Sequence, residues 1–189
     1  MSDDPAIELA GSVRRLIDAT IRTLADDATI RAVQSQIDSL TAQLTVETIP
    51  GAVGVHHIAG ISRVAGNVII GERNAIAPPL TMHHRDDGGV ATDFALGVAY
   101  EGPPGHVHGG VCAMILDHVL GAAVHQPGRP AVTGTLTLRY RRPTPLDAAL
   151  RAEARIRETQ GSKTFVEGFI THGGEVTVEA DGIFLFPRR

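Results

Sequence analysis

EGPPGHVHGGVCAMILDHVLG, residues Glu101–Gly121, is the stretch on which the reading of this chain turns. Gly102-Pro103-Pro104-Gly105 cannot continue a regular helix or strand and reads as a tight surface loop. His108-Gly109-Gly110 follows. Val111–Val124 is then apolar at almost every position, interrupted by Asp117, His118 and Gly121. A segment apolar on all sides, and too short to span a bilayer, reads as a helix buried in a core. A carboxylate inside such a helix is costly to bury without a partner or a task. The glycines before it let a ligand approach the backbone, and the first amides of a helix lack internal partners and favour negative charge. Oxyanion donors and a buried carboxylate are two halves of an acyl-transfer site. Asp117 is therefore a candidate base or nucleophile, and Gly109 and Gly110 are candidate N–H donors. The plainer alternatives are an Asp that caps a loop or pairs with an Arg, and glycines that allow close packing.

Outward from this stretch, the N-terminal side is helical. Leu9, Val13, Leu16, Ile17, Thr20 and Leu24 share one helical face, and Val33, Ile37, Leu40 and Leu44 repeat the pattern after Asp26-Asp27. Two amphipathic helices over residues 1–50 form an extension that packs on its own domain or on a partner subunit. Residues 51–73 read as a connector with a short strand at Asn67–Gly71, and His56-His57 within it read as solvated. Thr81–His84 and Val90–Val98 flank Asp86-Asp87-Gly88-Gly89, a hairpin turn signal. After the central helix the period becomes two. Val132, Gly134, Leu136, Leu138 and Tyr140 are expected on one face, with Thr133, Thr135, Thr137 and Arg139 on the other. Pro143 and Pro145 end that strand. Three more strands follow: one around Leu150–Ile156, one over Thr164–Thr171 and one over Val176–Phe186. The order is α+β, with residues 74–189 as the main domain and one sheet wrapped around the buried helix.

Composition removes several classes. With 189 residues, 43% of them hydrophobic, the chain can bury one full core. Its net charge of −4 and sparse aromatics offer neither a basic field nor a stacking platform for nucleic acid. No apolar run reaches membrane-spanning length, and the acidic start Met1-Ser2-Asp3-Asp4 is unlike a targeting peptide. Cys112, the single cysteine, lies in the apolar helix without a basic neighbour, which fits a reducing, cytoplasmic setting and a non-nucleophilic thiol. His106 and His108, with His83-His84, lack the spaced acidic or cysteine partners of a zinc site, so no metal is expected.

His108-Gly109-Gly110, with an acid nine positions after the His, resembles the hotdog-fold acyl-CoA thioesterases, closest to the PaaI-type and 4-hydroxybenzoyl-CoA thioesterase-like groups. The resemblance runs from about Asn74 to Phe186. It implies a hotdog fold, an antiparallel sheet around a central helix, and hydrolysis of an acyl-CoA thioester by Asp117 as base or nucleophile. It favours Gly109 over Gly110 as the oxyanion donor, and gives His108 a hydrogen bond to the thioester or water, or a loop-orienting role. Some relatives carry Ser or Thr one turn after the carboxylate, where this chain has Gly121. No cofactor is implied beyond coenzyme A, which arrives with the substrate. Arg139, Arg141 and Arg142, clustered at a strand end, are candidates for its phosphates. Gly109 and Asp117 lie eight residues apart, about 12 Å along one helix, so a complete site needs two chains. A homodimer with shared active sites, or a homotetramer, is expected. The alternatives are a non-catalytic acyl-CoA-binding hotdog protein and a hotdog hydratase or dehydratase.

Overall fold

The computed structural model describes residues 4–54, 56–58, 61–126 and 131–186, with backbone alone at 56–58 and 61–63. The chain divides into two compact units, Met1–Asn67 with Gly71–Ile76, and Val68–Ile70 with Ala77–Arg189.

In the first unit, α1 spans Pro5–Arg22 and α2 spans Asp27–Leu44. Both starts follow from local chemistry. Asp4 and Asp26 accept the backbone N–H groups of Ala6 and Thr29, and Pro5 needs no such acceptor at the first helical position. The Thr29 bond holds the Asp26 carboxyl below the usual carboxylate range. Arg14 ties α1 to the unit's last segment through the carbonyls of Glu72 and Asn74, at 3.0 and 2.8 Å. A short hairpin, β1 at His56–Ile58 and β2 at Ile61–Arg63, falls in the expected connector. The side chains of His56 and His57 lie outside the described residues. The strand expected at Asn67–Gly71 does not form. The Gly71 N–H closes back on the Asn67 carbonyl at 3.0 Å, which makes the segment a turn.

The second unit is a six-stranded antiparallel sheet with one helix laid across it. Its strands are β3 (His83–His84), β4 (Val90–Phe94), β5 (Val132–Tyr140), β6 (Leu150–Gln160), β7 (Lys163–His172) and β8 (Glu175–Leu185), in the order β3-β4-β6-β7-β8-β5. The expected hairpin between β3 and β4 is present, although β4 stops at Phe94 and Val98–Tyr100 forms a 3-10 turn. The helix, α3, spans Gly109–Val124 and buries Cys112, Ile115, Leu116, Val119, Leu120 and Val124. That i, i+3, i+4, i+7 spacing is one face of a helix. The sheet meets it with Ala152, Ala154, Val166, Ile170, Val178, Ala180 and Phe184.

Two glycines set how closely the layers approach. A Cβ on Gly168 would lie 2.5 Å from one methyl of Leu120, and a Cβ on Gly182 would lie 2.7 Å from the other. Leu120 therefore sits in a notch that only residues without a Cβ leave open. The sheet expected around the helix is present, and it covers α3 on one face. Val111, Met114, Asp117, His118, Gly121 and Ala122 are only half-buried, because a single sheet has one inner face to offer.

Gly168→Ala should destabilise the fold by roughly 2–3 kcal/mol, since neither Leu120 nor the Glu153 carbonyl, 2.8 Å from the new Cβ, can yield freely. Denaturant unfolding of the two proteins checks this, and an unchanged midpoint would refute the notch.

Candidate active site

The loop before α3 is held from both ends. Glu101 pairs with Val107 in an antiparallel bridge, and its carboxylate accepts the Gly105 N–H at 2.7 Å. The Val107 N–H donates to the Thr144 carbonyl and the Leu146 N–H to the Gly105 carbonyl, which ties the loop to the segment after β5. The His108 N–H reaches the Tyr100 carbonyl at 2.9 Å. His108 is thus fixed at the start of α3, where its Nδ1 accepts the Gly110 N–H at 2.9 Å. A backbone amide only donates, so Nδ1 bears the lone pair and the neutral ring carries its proton on Nε2. The two candidate donors separate here. The Gly110 amide is engaged by His108, whereas the Gly109 N–H has no acceptor among the described residues.

Tyr140, at the end of β5, holds the same turn from the other side. Its hydroxyl donates to the Gly109 carbonyl at 2.9 Å, and its ring lies 3.2 Å from where a Gly109 Cβ would be. Burial, and then the nearby Cys112 thiol, push the phenol above its ordinary range, so it keeps the proton it donates. Tyr140 was expected only as an apolar strand residue, because nothing in its spacing marks a bond to a glycine 31 positions away. Beneath it a buried relay runs from the Cys112 thiol to Thr144 Oγ1, on to Thr177 Oγ1 at 2.9 Å, and to the Ile170 carbonyl. Burial pushes the Cys112 thiol up, against thiolate formation.

These groups surround a cleft of about 860 Å³, walled by His106, His108, Gly109, Tyr140, Arg141 and Arg142. The arginine trio is split. Arg141 and Arg142 reach the cleft, paired with Glu179 at 2.7 Å and with Glu175. The Glu179 bond and charge raise the Arg141 guanidinium further above its ordinary value. Arg139 does not line the cleft and bonds Asp181 at 2.8 Å. His83 and His84 lie exposed on β3, at the edge of the sheet opposite β5, apart from His106 and His108.

Asp117 is not in the cleft. It lies half-buried on the open face of α3, about 12 Å along the axis from Gly109, and its Oδ1 accepts the Thr133 hydroxyl at 2.8 Å. Thr133 was expected on the far face of β5. The register explains the difference: Thr133 pairs with Phe184 and Thr135 with Ile183, so Gly134 is an extra, bulged residue. The bulge turns Thr133 toward α3, on the side of Leu136, Leu138 and Tyr140. A hydroxyl absent at Gly121 thus reaches the carboxylate from a strand. Beside it, burial lowers the His118 imidazole below its ordinary range, partly offset by Asp117 itself.

The Thioesterase superfamily model matches residues 104–179, from the loop through α3 and into β8. A crystal structure of a thioesterase superfamily protein is 33% identical with a TM-score of 0.86, covering 97% of this chain and 92% of that one. The chain belongs to the thioesterase superfamily. Acyl-coenzyme A thioesterase THEM4 of Mus musculus is 32% identical over 93 residues, which is 49% of this chain and 40% of that protein. The chain spans about two fifths of the length of the curated relatives it matches. The PaaI protein of E. coli shares the fold at a TM-score of 0.54 and 17% identity, over 59% of this chain and 81% of its own. The hotdog layout implied by the HGG stretch is therefore the fold of this thioesterase-superfamily chain.

His108→Ala should cost about 1 kcal/mol by leaving the Gly110 amide bare, while His108→Asn keeps an acceptor at the cap and most of the stability. Thermal unfolding of both variants measures the difference; equal losses would show that the cap bond contributes nothing.

Proposed function

We propose that this chain hydrolyses acyl-CoA thioesters to free acid and coenzyme A. The observation that carries the reading is the division of the site. The Gly109 N–H, with no acceptor among the described residues, lies at the helix N-terminus where Gly109 lines the cleft, while the only carboxylate on α3 lies about 12 Å away on its uncovered face. In a two-fold dimer, the Asp117 of one chain meets the Gly109 of the other. The thioester oxygen then accepts the Gly109 N–H, which is aimed at developing negative charge. Asp117 removes a proton from water as the water oxygen bonds to the acyl carbon. The C–S bond breaks, and the departing thiolate takes the proton back. In the alternative course Asp117 itself attacks, and water opens the resulting anhydride. Both courses consume one water and need no cofactor, since coenzyme A enters as part of the substrate.

The neighbouring groups support this assignment. The Nε2–H of His108 can donate to the thioester or to the water. Arg141 and Arg142 offer forked donors for the phosphates of coenzyme A at the cleft wall. Thr133 is a positioning residue that fixes one oxygen of Asp117 and leaves the other for water. The resemblance to acyl-CoA thioesterases supports the substrate class and the homodimer or tetramer, and the single buried cysteine accords with a cytoplasmic setting.

Thiol release from a panel of acyl-CoAs of varied length and aromaticity tests the reaction directly. Binding without release would support a non-catalytic acyl-CoA-binding protein, and a change in enoyl absorbance without release would support a hydratase. Asp117→Asn and Gly109→Pro should each abolish turnover in a folded protein. Mixing the two under subunit exchange should restore activity, because one site of each hybrid regains both native residues. Verified hybrids that stay inactive would place each site within a single chain.

Thr133→Val should lower kcat about tenfold with little change in KM, as expected when a transition-state contact is lost rather than binding. A wild-type kcat would remove Thr133 from the mechanism.

A further inference from the structure

Among the described residues, the apolar stripe on α2 is largely uncovered. Ile30, Val33, Leu40 and Leu44 are exposed by 45, 40, 58 and 57%, and no residue of the helix is buried. Among the described residues, every side-chain hydrogen bond of α2 stays within the helix or its caps. α1, by contrast, is anchored by Arg14 and by the Asp4–Arg73 pair. With Ile37, which is half-buried, the apolar residues fall at 30, 33, 37, 40 and 44, alternate steps of three and four, over about 21 Å of helix. That is the seam of a coiled coil, with Ile30, Ile37 and Leu44 at the first apolar position and Val33 and Leu40 at the second. Stable monomers rarely leave such a continuous apolar stripe to water.

We propose that α2 pairs in parallel with α2 of a second copy of this chain, forming a short two-stranded seam between N-terminal units. Two features select that occupant. β-branched Ile at the first position, followed by Leu at the second in the Ile37–Leu40 layer, favours two parallel strands. The flanking positions are Gln34, Gln36, Thr41 and Gln43, all uncharged. They neither repel an identical helix nor attract a charged foreign one. Two heptads are too short to join free chains, which ordinarily need three or four. The seam therefore closes between copies already held by the thioesterase dimer, where tethering gives effective concentrations on the order of millimolar. It rests on the dimer reading to that extent.

The test uses full-length Val33→Cys and Leu40→Cys proteins, with Ser35→Cys, on the opposite face of α2, as control. Native Cys112 is buried and common to all of them. Sedimentation of the native chain first establishes its assembly, and mild oxidation followed by non-reducing electrophoresis reads the links. Covalent dimers are expected from Val33→Cys and from Leu40→Cys separately, because each position meets its own copy only in a parallel pair. Ser35→Cys should stay unlinked. As a second measure, Leu40→Lys should raise the concentration at which the dimer dissociates by about tenfold or more. A native dimer in which neither seam cysteine links, or in which Ser35→Cys links equally, overturns the seam and leaves the shared site standing. A monomeric native chain overturns both.

Discussion

Leu120 between Gly168 and Gly182 is the contact on which the rest of the second unit depends. A helix laid on a sheet ordinarily stands off by the depth of the side chains between them. Here two strands lack a Cβ where α3 crosses, so the leucine methyls descend almost to the backbone. This close seat fixes the rotation of α3. Once Leu120 points into the notch, Leu116, Ile115 and Val119 must face the sheet, and Asp117, His118 and Gly121 must face away. The outward-facing carboxylate is thus a consequence of where two glycines fall in β7 and β8.

The same rotation leaves the ends of the site with different surroundings. The start of α3 meets the end of β5, where Tyr140 and His108 grip the first turn from opposite sides and leave one amide open. The middle of the helix meets the bulged start of β5, where Thr133 holds the carboxylate. Donor and acid are each held rigidly, but on a spacing that one helix cannot close. In the dimer proposed above, they would act together across two molecules, and neither half would need to move when a second molecule completes it.

Much of this was legible in the sequence. The Gly/Pro loop, the helix start at Gly109, the hairpin at Asp86–Gly89 and the alternating strands all follow from turn chemistry and periodicity, and the HGG spacing led to the family. Other features were not legible. The strand expected at Asn67–Gly71 became a turn because a local backbone bond competes with pairing that periodicity cannot register. α3 looks buried on all sides because its composition is the same whether cover comes from its own sheet or from elsewhere. The arginines looked like one cluster, yet β5 ends at Tyr140, so Arg139 pairs with Asp181 from within the strand while Arg141 and Arg142, beyond its end, reach the cleft. Each of these outcomes depends on which partner wins, and a single strand of sequence does not hold its partners.

Gly134 shows how far such a detail can reach. The face that Thr133 presents depends on Gly134 staying outside the pairing. Drawing Gly134 into the ladder opposite Phe184 would restore the plain alternation of β5 and carry the hydroxyl to the other side of the sheet, although Thr133 and Asp117 would both remain in the chain. In chains related to this one, a strand that pairs every residue would therefore change the chemistry beside the carboxylate as surely as a substitution. A comparison that scores matching letters alone would count the site as intact. The information lies in the register, which no single letter carries.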